Sequence, residues 1–189
     1  MRHMRIGLIS DTHIPSMGPE PPPEVRRAFD GVELILHAGD IYTQDCIRWL
    51  EQIAPVEATT SWFAGRGEGA PRTSAPIVVE AAGHAIGVVH KLELMLLGDD
   101  VWPGAIASGY PSGGSIPAEL EEIFGKPVDV VVFGYTQEAM IETHQGVLFV
   151  NPGSPTMVKQ TRTMGTVAIM ELTPSGPEAS IIELAGLSE

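Results

Sequence analysis

Two observations predict an α/β sandwich built on two sheets. Strand-like and helix-like segments alternate through the amino-terminal third, a pattern that gives parallel β-α-β units. After a Gly- and Pro-rich middle, short β segments dominate to the carboxyl terminus and predict mostly antiparallel pairing. No internal repeat and no second domain is read, so one domain over residues 1–189 is expected.

Taken in order, residues 4–10 are an apolar run that reads as a buried strand. "PPPEVRRAFDG" reads as a helix, with prolines at its start and glycine past its end. Residues 33–37 form a second strand, followed by "AGDIYTQ" and a helix over residues 43–53. Residues 76–82 and 85–90 flank "AGH" as a hairpin. Residues 92–115, with "GDDVWPGAIASGYPSGGS", predict a mobile loop. A short helix "PAELEEIFG" and strands at 128–133, 139–143 and 147–150 come next. "NPGSPTMVKQTRTMG" reads as a long loop, and residues 166–172 and 179–184 close the chain as a hairpin around "TPSGPE".

Composition narrows the function classes. A hydrophobic content of 43% predicts a folded chain, and a net charge of −13 argues against nucleic acid as a partner. An acidic surface accommodates divalent cations, whereas an anionic substrate needs local positive charge. The single cysteine, Cys46, excludes an intramolecular disulfide and reads as a buried thiol on an amphipathic helix. The start "MRHMRIGLIS" lacks a signal-peptide pattern, and no apolar run reaches the roughly 18 residues of a spanning helix. A cytoplasmic protein without membrane partners is expected.

Several strands end in residues that bind metals or phosphates: "SDTH", "HAGD", "GRGE", "VVHK", "FGYTQ" and "VNPGS". Ligands of open α/β sheets sit at the carboxyl ends of strands, where Asp11, His13 and Asp40 fall. Hard divalent ions take carboxylates and imidazoles converging from several strand ends. A lone D-x-H is weak; D-x-H followed after the next strand by G-D is far more specific. His37 reads as a packed histidine, and His3, His84 and His144 read as exposed.

"SDTHIP", "HAGDI", "VVH" and "NPGS", in that order, resemble the calcineurin-like metallophosphoesterases, in particular their small single-domain phosphodiesterase branch. The resemblance implies a four-layer α/β/β/α sandwich of two mixed sheets. It also implies two metals at the strand ends and an in-line attack on phosphorus by metal-activated hydroxide. Asp11 and His13 would bind the first metal, Asp40 would bridge, and His90 would bind the second.

The chain departs from that pattern at three places. Gly65-Arg66-Gly67-Glu68 stands for G-N-x-D, His90-Lys91-Leu92 for H-G-H, and Gly134-Tyr135-Thr136-Gln137 for G-H-T-H. The second metal thereby loses ligands at Arg66 and Tyr135, while Gln137 offers the first an amide oxygen. A guanidinium cannot coordinate a cation, so Arg66 is expected to substitute electrostatically for the second ion. Arg66 and Asp40 are the candidate catalytic residues. Arg66, Lys91, Tyr135 and Asn151 are candidate substrate contacts, with Asn151 also shaping the loop beneath the site. Hydrolysis of a small phosphodiester or related anion, impaired and using at most one divalent metal (Mn, Zn, Fe or Mg), is one expectation. An inactive binding or scaffold module is the other.

Overall fold

The computed structural model describes residues 3–59 and 75–187. The first strand, β1 (Met4–Ile9), shows how the layers form. Ile6 and Leu8 point into one apolar cluster and Ile9 into another, because successive side chains leave opposite faces of a strand. The strand is therefore covered on both sides, and it reads as a continuous apolar run. Gly7 interrupts that run because a β-carbon there would lie 3.0 Å from the Phe29 ring.

Helix α1 (Glu24–Ala28) leads to β2 (Leu34–His37), and helix α2 (Gln44–Glu51) leads to β3 (Val56–Ala58). β1, β2 and β3 pair in parallel, as the alternation predicts. β11 (Thr166–Thr173) and β12 (Gly176–Glu183) form the closing hairpin and complete this sheet, in the order β12-β11-β1-β2-β3. α1 and α2 cover its outer face through Val25, Phe29, Ile47 and Leu50.

The second sheet is β4-β5-β6-β8-β7. Its strands are β4 (Ile77–Ala81), β5 (His84–Val89), β6 (Val130–Phe133), β7 (Met140–His144) and β8 (Val147–Asn151). The predicted antiparallel pattern holds only at its edges. β6 runs parallel to β5, because the chain between them crosses over through helices α3 (Ala105–Gly109) and α4 (Ile116–Phe124), and parallel to β8, which inserts between β6 and β7. β6 repeats the logic of β1: Val130 and Val132 face the first sheet, while Val131 and Phe133 face the helices. The result is the four-layer α/β/β/α sandwich of two mixed sheets.

Residues 92–115 are not the loose loop the sequence suggests. Leu92, Leu94, Val101 and Ile106 are buried in the outer core with Leu120 and Phe149. The segment is also pinned to the β7–β8 hairpin. Gly104 N–H donates to Glu142, Ile116 N–H donates to Gln145 Oε1, and the Gln145 amide donates to the Gly114 carbonyl. Glycines and prolines obscured an apolar anchor spaced too irregularly to read as a helix. The long loop after "NPGS" likewise contains a small hairpin, β9 (Met157–Val158) and β10 (Thr161–Arg162). His84 and His144 are also better covered than expected: each is largely buried, beside Asp129 and Glu142 respectively.

Among the described residues, no helix is long and apolar enough to cross a membrane.

Candidate metal centre

The carboxyl ends of β1, β2, β5 and β6 converge at one crevice. Asp11 and His13 follow β1, Asp40 follows β2, His90 follows β5, and Tyr135 and Gln137 follow β6. One ligand atom each from Asp11, His13 and Asp40 lies within 4.8 Å of the others. The Asp11 carboxylate is 4.0 Å from His13 Nε2, and Asp40 Oδ2 is 3.9 Å from His13 Nδ1.

Backbone conformation sets this geometry. Asp11, His13, Asp40, Tyr42, Tyr135 and Gln137 all have φ between 50° and 71°, in the left-handed region that non-glycine residues rarely adopt. Such strain persists only where surrounding contacts over-determine it, and it concentrates at functional sites. Here the contacts are explicit. Asp11 N–H donates to the Gly39 carbonyl at 2.9 Å and His13 N–H to the Asp40 carbonyl at 3.0 Å. Ser154 Oγ donates to the Asp11 carbonyl at 2.7 Å, and Thr156 Oγ1 to the Thr12 carbonyl at 3.2 Å. The loop after β8 is thus the floor beneath the ligands.

Asp11 is fully buried, a placement that is costly for an unpaired charge. Tyr135 N–H donates to its Oδ2 at 3.1 Å, and His90 Nε2 lies 3.3 Å from its Oδ1. His90 Nε2 is also 3.6 Å from Asp40 Oδ2, so the ring sits between two carboxylates. Burial alone would lower the His90 pKa. The hydrogen bond to Asp11 and the charges of Asp11 and Asp40 outweigh that and raise it. Burial raises the Asp40 pKa, with Asp11 adding to the rise and His90 opposing it.

His13 is oriented by two neighbours. Its Nδ1 lies 2.8 Å from the Tyr42 hydroxyl, and its Nε2 lies 3.0 Å from the Gln137 amide nitrogen. With Nδ1–H donating to Tyr42, the Nε2 lone pair faces Gln137 and Asp11. Gln137 Oε1 is buried and has no hydrogen-bond partner among the described residues. Buried polar atoms are seldom left unpaired. Two carboxylates, an imidazole lone pair and an orphaned amide oxygen make a donor set suited to a divalent cation.

The other expected residues divide by location. Lys91 Nζ is 3.0 Å from Glu93 and 3.1 Å from Asp100, and lies 4.9 Å from the centre of the Tyr135 ring. Those carboxylates raise its pKa, Glu93 foremost. Tyr135 is exposed at the rim and meets the His90 ring edge-on. Asn151 is fully buried: its amide donates to the Gly134 carbonyl and Thr136 Oγ1, and its Oδ1 accepts from Gly153 N–H. Every polar atom of that side chain is engaged with the segments after β6 and β8. Arg66 and Glu68 lie outside the described residues.

Sequence reasoning gave no role to Tyr42, Ser154, Thr156 or Gly134. Only Tyr42 carried a signal, two residues past Asp40 in "GDIY". The need for glycine at 134 is steric: a β-carbon would lie 2.5 Å from Asp11 Oδ2.

The packed reading of His37 holds, since the residue is fully buried and neutral. Burial pushes its pKa down to about 3, with the Asp11 charge opposing and His90 and His13 reinforcing the drop. An unfolded histidine titrates near pH 6.5, so below that the unfolded chain takes up a proton the native chain refuses. The stability His37 permits is complete above about pH 6.5 and is lost as pH falls toward 3, at up to about 1.4 kcal/mol per pH unit. Denaturant unfolding at pH 6.5 and pH 5 should show this slope, and His37→Gln should flatten it.

A sandwich with ligands gathered at its strand ends defines a phosphoesterase-like class, and comparison with known proteins makes the assignment specific. Residues 4–175 match the calcineurin-like phosphoesterase superfamily domain, and the chain belongs to that family. It is 34% identical over 160 residues to a probable metallophosphoesterase of Methanothermobacter thermautotrophicus, covering 84% of this chain and 81% of the relative. A probable metallophosphoesterase of Methanocaldococcus jannaschii is 33% identical over 156 residues, covering 82% and 69% respectively. Among solved structures, Vacuolar Protein Sorting 29 from Cryptosporidium parvum superposes with a TM-score of 0.64 at 19% identity, covering 95% of this chain and 97% of that one. A structure described as a novel archaeal phosphodiesterase gives 0.58 at 22% identity, covering 95% and 100%. Vps29 from Entamoeba histolytica, described as complexed with zinc, gives 0.57 at 18% identity, covering 96% and 99%.

Proposed function

We propose that this chain is a metal-dependent phosphoesterase that hydrolyses a small phosphodiester, slowly, with one divalent ion held by Asp11, His13 and Asp40. The observation that carries this reading is the trio itself, with ligand atoms within 4.8 Å of one another and the Gln137 side-chain amide against His13 Nε2. Mn, Zn, Fe or Mg would each suit these donors. When bound, such an ion would lower the pKa of a coordinated water and polarise a phosphoryl oxygen.

The chain's own residues supply the rest. Tyr42 fixes the His13 ring, and Tyr135 N–H and His90 hold the Asp11 carboxylate in place. Lys91 and the Tyr135 ring line the rim where an anion enters, and Lys91 would have to leave Glu93 and Asp100 to meet it. On sequence grounds alone, Arg66 is proposed to take over the charge of the second cation. The rate is low in this reading because, in the sequence pattern, Arg66 and Tyr135 replace the asparagine and histidine that would hold a second ion.

One observation favours an inactive binding module instead. His90 sits between Asp11 and Asp40 with its pKa raised, so the ring favours its charged form beside those carboxylates more than a free imidazole does, with no ion required. Turnover of bis(p-nitrophenyl) phosphate with and without Mn²⁺ separates the two. Slow, manganese-dependent release that disappears in Asp40→Asn is expected. Release that is absent, or indifferent to both metal and mutation, would leave the binding module.

Gln137 gives a second test. An imidazole there replaces a weak neutral oxygen donor with a stronger nitrogen donor and removes the amide N–H that faces His13 Nε2. Gln137→His is expected to tighten Mn²⁺ or Zn²⁺ binding by about tenfold or more, measured by calorimetry. Unchanged affinity would place Gln137 outside the coordination sphere.

A further inference from the structure

We infer that His37 is a positioning residue for the metal centre: its ring, locked as the Nε2–H tautomer, holds Thr12 and through it the two ligands that flank Thr12. The inference rests on the metal-centre reading proposed above. His37 ends β2 and is fully buried.

The hydrogen-bond directions assign the tautomer. Gly39 N–H points at His37 Nδ1 at 3.1 Å, so Nδ1 carries the lone pair and accepts. In a neutral ring the proton is then on Nε2, which lies 3.2 Å from Thr12 Oγ1 and donates to it. Thr12 Oγ1 in turn donates to the Asp40 carbonyl at 3.3 Å and accepts from Cys46 Sγ at 3.4 Å. The hydroxyl therefore uses both lone pairs and its proton. The line runs from the end of β2, through Thr12 in the loop after β1, and back to the backbone of Asp40.

What this line fixes is local and specific. Asp11 and His13 both adopt left-handed backbone angles on either side of Thr12, at φ 50° and 51°. Backbone bonds and the Ser154 and Thr156 hydroxyls hold the main chain of this turn. Among the described residues, the hydrogen bonds to the buried Thr12 hydroxyl come from His37, Cys46 and the Asp40 backbone, all from β2 onward. Partners that hold ligands in place typically govern metal affinity by about 10–100-fold without contacting the ion.

The test uses the full-length protein, with Mn²⁺ calorimetry and the visible d–d spectrum of bound Co²⁺ as readouts independent of turnover. Thr12→Val removes the hydroxyl and keeps the β-branched shape; His37→Leu removes both polar ring atoms. Each is expected to weaken Mn²⁺ binding by about 10–100-fold and to alter the Co²⁺ band. His37→Gln, which keeps a donor toward Thr12, is expected to restore most of the affinity and the wild-type spectrum. A merely structural role would lower the melting temperature in all three variants and give no spectral rescue. If His37→Leu fails to fold, Thr12→Val decides the matter. Thr12→Val with wild-type affinity and spectrum overturns the inference alone. Wild-type protein that takes up neither ion overturns the metal-centre reading and the inference with it.

Discussion

Asp40→Asn should cost the protein more than about a hundredfold in Mn²⁺ affinity while leaving the metal-free fold intact. The carboxylate of Asp40 faces both histidines of the crevice, His13 at 3.9 Å and His90 at 3.6 Å, and joins Asp11 in the trio. Its pKa is raised because it is largely removed from water and shares the site with Asp11. Burial and the neighbouring Asp11 thus make the Asp40 charge costlier than that of a free carboxylate, a cost that a bound cation would offset. Removing that charge should leave the metal-free melting temperature equal or higher, the usual stability trade at a functional site. Thermal unfolding with and without Mn²⁺ checks both halves. Wild-type protein should gain stability on adding the ion and Asp40→Asn should gain none. A mutant that unfolds outright would make Asp40 a structural residue.

Gly134→Ala is expected to disrupt both the fold and the site by overpacking. A β-carbon at 134 would stand 2.5 Å from Asp11 Oδ2 and 2.9 Å from both Cβ and Oγ of Ser10. Neither neighbour can retreat easily. Ser10 Oγ donates to the Gly153 carbonyl, and Asp11 is fully buried with Tyr135 N–H on the same oxygen. Overpacking of this kind costs about 1–3 kcal/mol. It should also drive the Asp11 carboxylate off its position, so ion binding should fall with stability. Denaturant unfolding together with a metal titration would show this. A variant that matches the wild type in both would mean that the Asp11 carboxylate is free to move.

The parts of the structure legible in sequence are those set by short-range pattern. β1 and β2 are apolar runs ending in chemistry-bearing residues, and the parallel β-α-β order follows from alternation with helices. Asp11, His13 and Asp40 were legible because the topology delivers two successive strand ends to one edge. β3 was missed because Val56–Ala58 is three residues with a single period of alternation. The parallel pairing of β6 with β8 was missed because β8 inserts between β6 and β7, a choice made by long-range packing. The segment 92–115 was misjudged because its buried residues, Leu92, Leu94, Val101 and Ile106, follow neither helical nor strand periodicity. Within the site, residue identity indicates which groups can bind a cation but not the left-handed angles that aim them. Tyr42 at His13, Ser154 beneath Asp11 and the fully occupied side chain of Asn151 are consequences of those angles.

Calorimetric titration of the full-length protein with Mn²⁺ at pH 7.5 tests the central claim, a single divalent ion held by Asp11, His13 and Asp40, most directly. One ion per chain is expected, with the signal abolished in Asp11→Asn. Two ions per chain, no binding, or one ion retained undiminished in Asp11→Asn would contradict it.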